Sequence, residues 1–265
     1  MIIEFIGAPG AGKTTLLPEV TRFFESHGCR AFTVVEAARP LARRTLGGRL
    51  VHRLAPAMLK RPLLWRIFYL HGFAHRLSFM AQRPRLIAQV LASQRGRPAN
   101  ADVRQRQVLP WLFRHMGYYE FLRRHARTDE VLLFDEGFIH RVVQLFTSSA
   151  ERPSPSQITD YLDFVPRPDL IIFVQASVEI CEERIYERGL WPRAQHKDPA
   201  EISQFICHAH DAVEMAVAHA RRKRWLVLEV ANDGADLTAV QTMLWQQLDQ
   251  ISLGRWSTWE VQTAA

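Results

Sequence analysis

The stretch IIEFIGAPGAGKTTLL, residues 2–17, decides the fold of this chain. The apolar run Ile2 to Ile6 predicts a buried strand of a parallel sheet, and the pattern that follows predicts a helix over residues 13–27. Between them lies G-x-x-x-x-G-K-T, in which glycines allow the backbone N–H groups to curl inward at the N-terminus of the new helix. A strand, such a loop and a helix in this order are typical of a phosphate-binding loop.

This motif also predicts how a nucleoside triphosphate is held. Lys13 would reach the β- and γ-phosphates, and the Thr14 hydroxyl would ligate magnesium. The residues expected to contact the nucleotide are Gly7, Ala8, Pro9, Gly10, Ala11, Gly12, Lys13, Thr14 and Thr15. ATP and Mg²⁺ are therefore the expected cofactors.

An acidic pair follows a second apolar run. The sequence VLLFDEGF places Asp135 and Glu136 at the carboxyl end of a predicted strand. Open α/β sheets bind ligands beyond the carboxyl ends of their strands, so Gly7 to Thr14, Glu36 and Asp135 should converge there. We expect Asp135 to hold the metal together with the loop threonine, Glu136 to lie beside it, and Glu36 to be a candidate base toward an acceptor hydroxyl.

Strands and helices alternate along most of the chain. Further strands are predicted over residues 31–35, 131–134, 170–174 and 225–230, and helices are predicted between them. This alternation implies a parallel sheet with helices on both faces. We therefore predict one α/β domain over residues 1–253, with a helical insertion at 40–127, a lid at 188–199 and a tail at 254–265.

The composition of the chain bears on its disulfides, its cellular compartment and its relation to the membrane. Three cysteines lie far apart without a C-x-x-C pair, so no disulfide framework or zinc ribbon is encoded. The start, MIIEFIG, lacks a basic region and a long apolar region, and charges interrupt every apolar stretch before the roughly 18 residues that a spanning helix needs. A cytoplasmic protein without a transmembrane segment is expected.

The net charge of +7 conceals a strong asymmetry. Residues 39–127 carry 19 Arg and Lys against Asp102 and Glu120, whereas the rest of the chain has 15 basic and 25 acidic residues. A segment with so large an excess of positive charge suggests a surface that binds an anion. Arg39, Arg43 and Arg44 directly follow the second predicted strand, so we expect them at the carboxyl edge of the sheet, reading an anionic small-molecule acceptor.

Two other interpretations of the basic block stay open. It could be the electrostatic footprint of a nucleic-acid partner. Residues 50–80, LVHRLAPAMLKRPLLWRIFYLHGFAHRLSFM, could instead lie on an anionic membrane or accept an acyl or prenyl substrate. Core helices with basic outer faces are the favoured interpretation of that stretch.

A family resemblance rests on three features in order: the loop Gly7 to Thr14, Asp135, and the stretch RPDLIIFVQASVEICEERIYERG at 167–189. With these the chain resembles the P-loop nucleoside and nucleotide kinases, most closely the thymidylate-kinase-like group. The resemblance implies a three-layer P-loop fold with sheet order 2-3-1-4-5, transfer of the γ-phosphoryl group of ATP, and a homodimer. It is weak or absent across residues 41–127.

The resemblance also implies roles for individual residues. An arginine-rich lid would bring cations to the transferred phosphoryl group from Arg184, Arg188 and Arg193, and the i, i+4 spacing of the first two supports this independently. Arg184 would also pack on adenine, and Asn232, in the loop after the last strand, would border the base.

One departure from the family concerns the acceptor. Relatives commonly carry an arginine directly after the acidic residue of the third strand, whereas this chain has Asp135, Glu136 and Gly137. Arg141, about one helical turn on, could substitute in part. The expected function is thus a small-molecule kinase, with a P-loop ATPase coupled to nucleic acid or another macromolecule, and a non-catalytic nucleotide sensor, as alternatives.

Overall fold

A computed structural model describes residues 1–93, 103–190, 195–234 and 236–262, and the side chains of all of these except 103–107 and 252–262. The described residues form one parallel sheet of five strands, in the order β2-β3-β1-β4-β5. The strands are β1 Ile2–Ile6, β2 Arg30–Thr33, β3 Glu130–Phe134, β4 Leu170–Gln175 and β5 Val227–Ala231. The predicted fold class and sheet order are confirmed.

Helices connect the strands. They are α1 Lys13–Ser26, α2 Val34–Ala42, α3 Leu46–Leu54, α4 Ala57–Gln82, α5 Pro84–Ala92, α6 Val103–His125, α7 Arg141–Phe146, α8 Pro155–Leu162, α9 Val178–Arg188, α10 Pro199–Arg222 and α11 Leu237–Gln262. The described part of the segment between β2 and β3 consists of helices joined by short connections. Helix α11 continues to Gln262, so helical backbone covers most of the segment for which the sequence showed no periodicity.

The core lies around the three central strands. Their near-continuous apolar runs are buried on both sides, as central strands of a parallel sheet require. Glu4 of β1 pairs with Phe134, the last residue of β3, and β1 continues two residues further to Ile6 at the same edge of the sheet. The loops that follow β1 and β3 therefore emerge side by side.

The second strand is shorter than predicted, and a helix follows it at once. Thr33 Oγ1 accepts a hydrogen bond from the Glu36 amide at 3.3 Å, and Glu36 Oε2 accepts one from the Thr33 amide at 2.9 Å. This reciprocal capping box starts α2 at Val34. The prediction that Glu36 ends a strand is wrong, although T-x-x-E in the sequence was a signal for the helix.

Helix α2 then carries the chain back toward the amino ends of the strands. Arg44, two residues beyond α2, makes a bidentate contact with Glu130, the first residue of β3, and donates to the His125 carbonyl at 2.7 Å. Burial by itself would raise the pKa of the Glu130 carboxyl, but the hydrogen bonds from Arg44 and the Arg127 amide lower it overall. The expected place of Arg44 at the carboxyl edge is wrong, because a helix after a parallel strand runs back along it.

Helices α4 and α6 pack closely inside the insertion. A Cβ on Gly117 would collide with the Gly72 carbonyl, so the two backbones touch, and Phe68 stacks on Tyr118 with ring centroids 4.7 Å apart. The outer side of α4 is mixed: the exposed Arg66 lies one turn from Leu70, so the predicted basic outer face is present in part. It exposes the apolar side chains of Tyr69, Leu70, Phe73 and Leu77. No helix among the described residues is long and apolar enough to cross a membrane.

Candidate functional site

A cavity of about 1170 Å³ opens at the carboxyl edge of the sheet. The loop after β1 forms one wall with Pro9, Gly10 and Gly12 to Thr15. Asp135 and Glu136 enter from the end of β3, and Arg184 and Arg188 enter from α9. Thus one cavity is lined by the predicted phosphate loop, the acidic pair and two of the lid arginines.

The loop after β1 is curled around the lysine side chain. Lys13 Nζ donates hydrogen bonds to the carbonyls of Gly7 at 2.7 Å and Ala8 at 3.0 Å. Burial lowers the pKa of Lys13 to about 8, and the nearby carboxylates of Glu136 and Asp135 oppose that change. An anion beside this ammonium would favour its charged form, so the site gains from binding phosphate.

Two glycines and an asparagine fix the shape of the loop. Gly10 and Gly12 have φ of +87° and +98°, and a Cβ would collide with the Cys181 carbonyl at Gly10 and with the Asn232 amide at Gly12. Asn232 Nδ2 donates to the Ala11 carbonyl at 2.7 Å. Asn232, expected to border the base, is buried and supports the loop from behind.

The acidic pair is held asymmetrically. Glu136 Oε2 accepts a hydrogen bond from Gln144 at 3.0 Å and lies 3.4 Å from the Arg141 guanidinium, so α7 orients it. Asp135 Oδ1 accepts the Glu136 amide at 3.0 Å and lines the same cavity as Thr14. Hard oxygen donors of this kind suit Mg²⁺. No group of three or more His, Cys, Asp or Glu side chains that could hold a metal occurs among the described residues, so a magnesium ion would also need phosphate or water oxygens.

A buried carboxylate lies directly under the acidic pair. Glu4, in the middle of β1, accepts hydrogen bonds from the amides of Ile139 and His140, the latter at 3.0 Å. Burial raises its pKa to about 7, against the effect of these backbone donors and of Arg141. A Cβ on Gly137 would run into the Glu4 carboxyl group, so the turn after Glu136 is shaped around it. An acid inside the apolar run IIEFI was the sequence signal that could have identified this role.

The predicted acceptor residues do not meet the phosphate loop. Glu36, Arg39 and Arg43 line a separate cavity of about 640 Å³ beside β2, and Arg44 is paired with a buried carboxylate. Arg141 is buried under the acidic pair, bound to Gln144 and close to Glu136, and is not in the cavity wall. Arg193 lies outside the described residues.

A second part of the wall of the 1170 Å³ cavity was not predicted. It consists of Trp111 from α6, His140 before α7, Val143 and Gln144 from α7, and Phe205 from α10. These residues lie in helical stretches where one aromatic or amide side chain gives no local signal. Only the packing of α6, α7 and α10 around the sheet brings them together.

The loop, its lysine and the sheet order define the class: this is a P-loop α/β domain with strand order 2-3-1-4-5. No family model matches the sequence, and a comparison with curated proteins finds no match.

Among solved structures, the chain is similar to deoxyadenosine kinase from M. mycoides with the products dCMP and a flexible dCDP bound, at 13% identity and a TM-score of 0.44. It is also similar to deoxyadenosine kinase from M. mycoides with dCTP bound, at 13% identity and a TM-score of 0.41. Each match covers 94% of this chain and 100% of the other.

Proposed function

We propose that this protein is an ATP-dependent phosphotransferase that moves the γ-phosphoryl group of Mg-ATP to a small-molecule acceptor. One observation carries the proposal: the phosphate loop, the acidic pair and two arginines share a cavity of about 1170 Å³ with a second, chemically different wall. Pockets for single small ligands are typically about 300–1000 Å³, so this space is large enough for two ligands.

On the nucleotide side, each group acts on charge. The Lys13 ammonium and the loop amides bind the β- and γ-phosphates, and Thr14 and Asp135 supply oxygen ligands for magnesium. When bound, that ion neutralises charge on the phosphate oxygens. Arg184 and Arg188 approach from α9, where their cations can stabilise the charge on the transferred group.

On the acceptor side, the wall favours a molecule with a flat or apolar part and a polar end. Trp111 and Phe205 offer apolar surface, whereas Gln144 and Glu136 form a hydrogen-bonded pair at the cavity wall. Glu136 lies in the same cavity as Lys13, so we propose it, in place of Glu36, as the carboxylate that orients or deprotonates the acceptor hydroxyl. A phosphate acceptor would instead use the α9 arginines.

The test is transfer from γ-labelled ATP to a panel of nucleosides, nucleotides, sugars and other hydroxyl compounds, with hydrolysis measured in parallel. Lys13→Ala should lower kcat/KM by at least about a hundredfold, because it removes a cation from the phosphate site. The matched control is Lys223→Ala, which changes a lysine at the end of α10, outside the cavity.

The melting temperature of both variants should stay near that of the wild type. Full activity of Lys13→Ala would contradict the proposal. Hydrolysis without transfer to any acceptor would instead favour an ATPase coupled to a macromolecule.

A further inference from the structure

Two neighbouring helices of the insertion expose an unusual amount of apolar surface. We call this surface the α3/α4 outer face. It comprises Leu46, Leu50 and Leu54 on α3, and Met58, Tyr69, Leu70, Phe73 and Leu77 on α4. Isolated surface leucines need no explanation, but grouped ones on packed helices usually mark a surface that is covered by something else.

The exposed leucines of α3 belong to a well-anchored helix. Thr45 caps its start, accepting a hydrogen bond from the Gly48 amide at 3.1 Å, and a Cβ on Gly48 would collide with the Ala42 carbonyl. Leu46, Leu50 and Leu54 follow each other at intervals of four, so they form one stripe along the helix. Leu46 is 77% exposed and Leu54 is 73% exposed.

Helix α4 carries a second apolar stripe opposite its buried side. Its inner side chains, such as Phe68 and Phe79, are buried against α6 and the core, whereas Leu70 on the outer side is 71% exposed. A helix that is apolar on both sides normally has partners on both sides. Arg76 lies over the Phe73 ring at 5.2 Å, so a cation accompanies the aromatic part of this stripe.

Charge around this face has a single sign. No Asp or Glu occurs in the sequence between Glu36 and Asp102. The basic residues on and beside the two helices are Arg49, Arg53, Lys60, Arg61, Arg66 and Arg76. The face therefore combines exposed aliphatic side chains with a purely positive border.

These two properties together select one occupant. A second copy of the chain would bring the same positive border against itself in a two-fold interface, which is repulsive. Nucleic acid would meet the arginines, but its interfaces are polar and gain little from exposed leucines. An anionic bilayer takes both, because apolar side chains enter the headgroup boundary while arginines contact lipid phosphates.

We propose that the α3/α4 outer face docks this protein on the surface of anionic membranes. Leu46, Leu50 and Leu54 enter the interface, and Arg53 and Arg66 lie at headgroup level. The attachment is peripheral and independent of phosphoryl transfer, so it is tested without an activity readout.

The experiment is vesicle flotation of the full chain. Vesicles are made of phosphatidylcholine alone, or of phosphatidylcholine with about one third phosphatidylglycerol. The wild type should float with the anionic vesicles and stay behind with the neutral ones, and added salt should weaken binding. Leu50→Ser/Leu54→Ser should lower the bound fraction at least about tenfold, since two leucines that enter the bilayer interface are lost.

Matched variants distinguish binding through this face from nonspecific binding to vesicles. Leu237→Ser/Met243→Ser removes two exposed apolar residues, 41% and 42% accessible, from α11 and should leave flotation unchanged. Arg53→Gln/Arg66→Gln should reduce binding several-fold at low salt, whereas Arg222→Gln should not. All variants are first checked for a wild-type melting temperature.

Three outcomes would overturn the proposal. These are no flotation of the wild type with anionic vesicles, equal flotation of Leu50→Ser/Leu54→Ser, or binding to duplex nucleic acid at physiological salt in place of vesicles. Loss of a dimer in the leucine variant without vesicle binding would assign the face to a second copy. None of these results depends on ATP turnover, so failure here is distinct from failure of the proposed function.

Discussion

Glu4 should make the stability of this protein depend on pH in an identifiable way. Its carboxyl is buried and its pKa is raised from 4.5 to about 7, so the folded state holds a proton that the unfolded state releases. The stability it contributes is complete below pH 4.5 and is lost as the pH rises through 7. At 1.36 kcal/mol per unit, the loss between pH 5 and pH 8 is about 2–3 kcal/mol.

The assay is urea unfolding of the wild type and Glu4→Gln at pH 5 and pH 8. The glutamine keeps an acceptor for the Ile139 and His140 amides but cannot ionise. Whatever fixed offset the amide introduces, the difference in unfolding free energy between the two proteins should change by about 2–3 kcal/mol between the two pH values, in favour of the variant at pH 8. Glu25→Gln, at an exposed site on α1, is the control and should show no such change. A pH-independent difference for Glu4→Gln would refute the reasoning.

Two further predictions concern basic residues. The pKa of Lys13 is about 8, and bound phosphate favours the charged form of this side chain. ATP binding should therefore take up about three quarters of a proton at pH 8.5 and about a tenth at pH 7, as measured by calorimetry in buffers of different ionisation enthalpy. Equal proton uptake at the two pH values would contradict this prediction. Arg44→Gln should lower the unfolding free energy by about 2–4 kcal/mol, because Glu130 stays buried without its main partner, and should leave the KM values for ATP and acceptor unchanged. A rise in the acceptor KM would restore the hypothesis that this arginine reads the acceptor, and Arg53→Gln, at an exposed site, is the control for stability.

The phosphate loop and the sheet were readable from sequence because their signals are local. Glycine spacing, a lysine and a threonine between an apolar strand and a helix describe one continuous loop, and it formed as predicted from Gly7 to Thr14. Asp135 was likewise predictable, since the carboxyl end of a parallel strand has a known place relative to that loop. The capping box of Thr33 and Glu36 is equally local, and the helix that it starts is the reason why Glu36 and the arginines after it do not lie at the phosphate loop.

The acceptor wall could not be predicted in this way. Trp111, Gln144 and Phe205 come from three helices far apart in the sequence, and they meet only because α6, α7 and α10 pack at the same end of the sheet. Arg44 shows the opposite error: the sequence predicted it beside the site, but in the structure it pairs with Glu130. Charge counts could show that the insertion is basic, but not which of its arginines form ion pairs within the fold.

The sequence by itself determined the phosphate loop, the strand order implied by its resemblance, and the one-sided charge of residues 39–127. Tertiary structure alone decided that Asn232 supports the loop, that Glu4 lies under the acidic pair, and that α4 exposes Leu70, Phe73 and Leu77 on its outer side. The physical reason is the separation in sequence of the interacting residues. Backbone conformation and local hydrogen bonds depend on near neighbours in the chain, whereas burial and the composition of a cavity depend on which distant elements pack together.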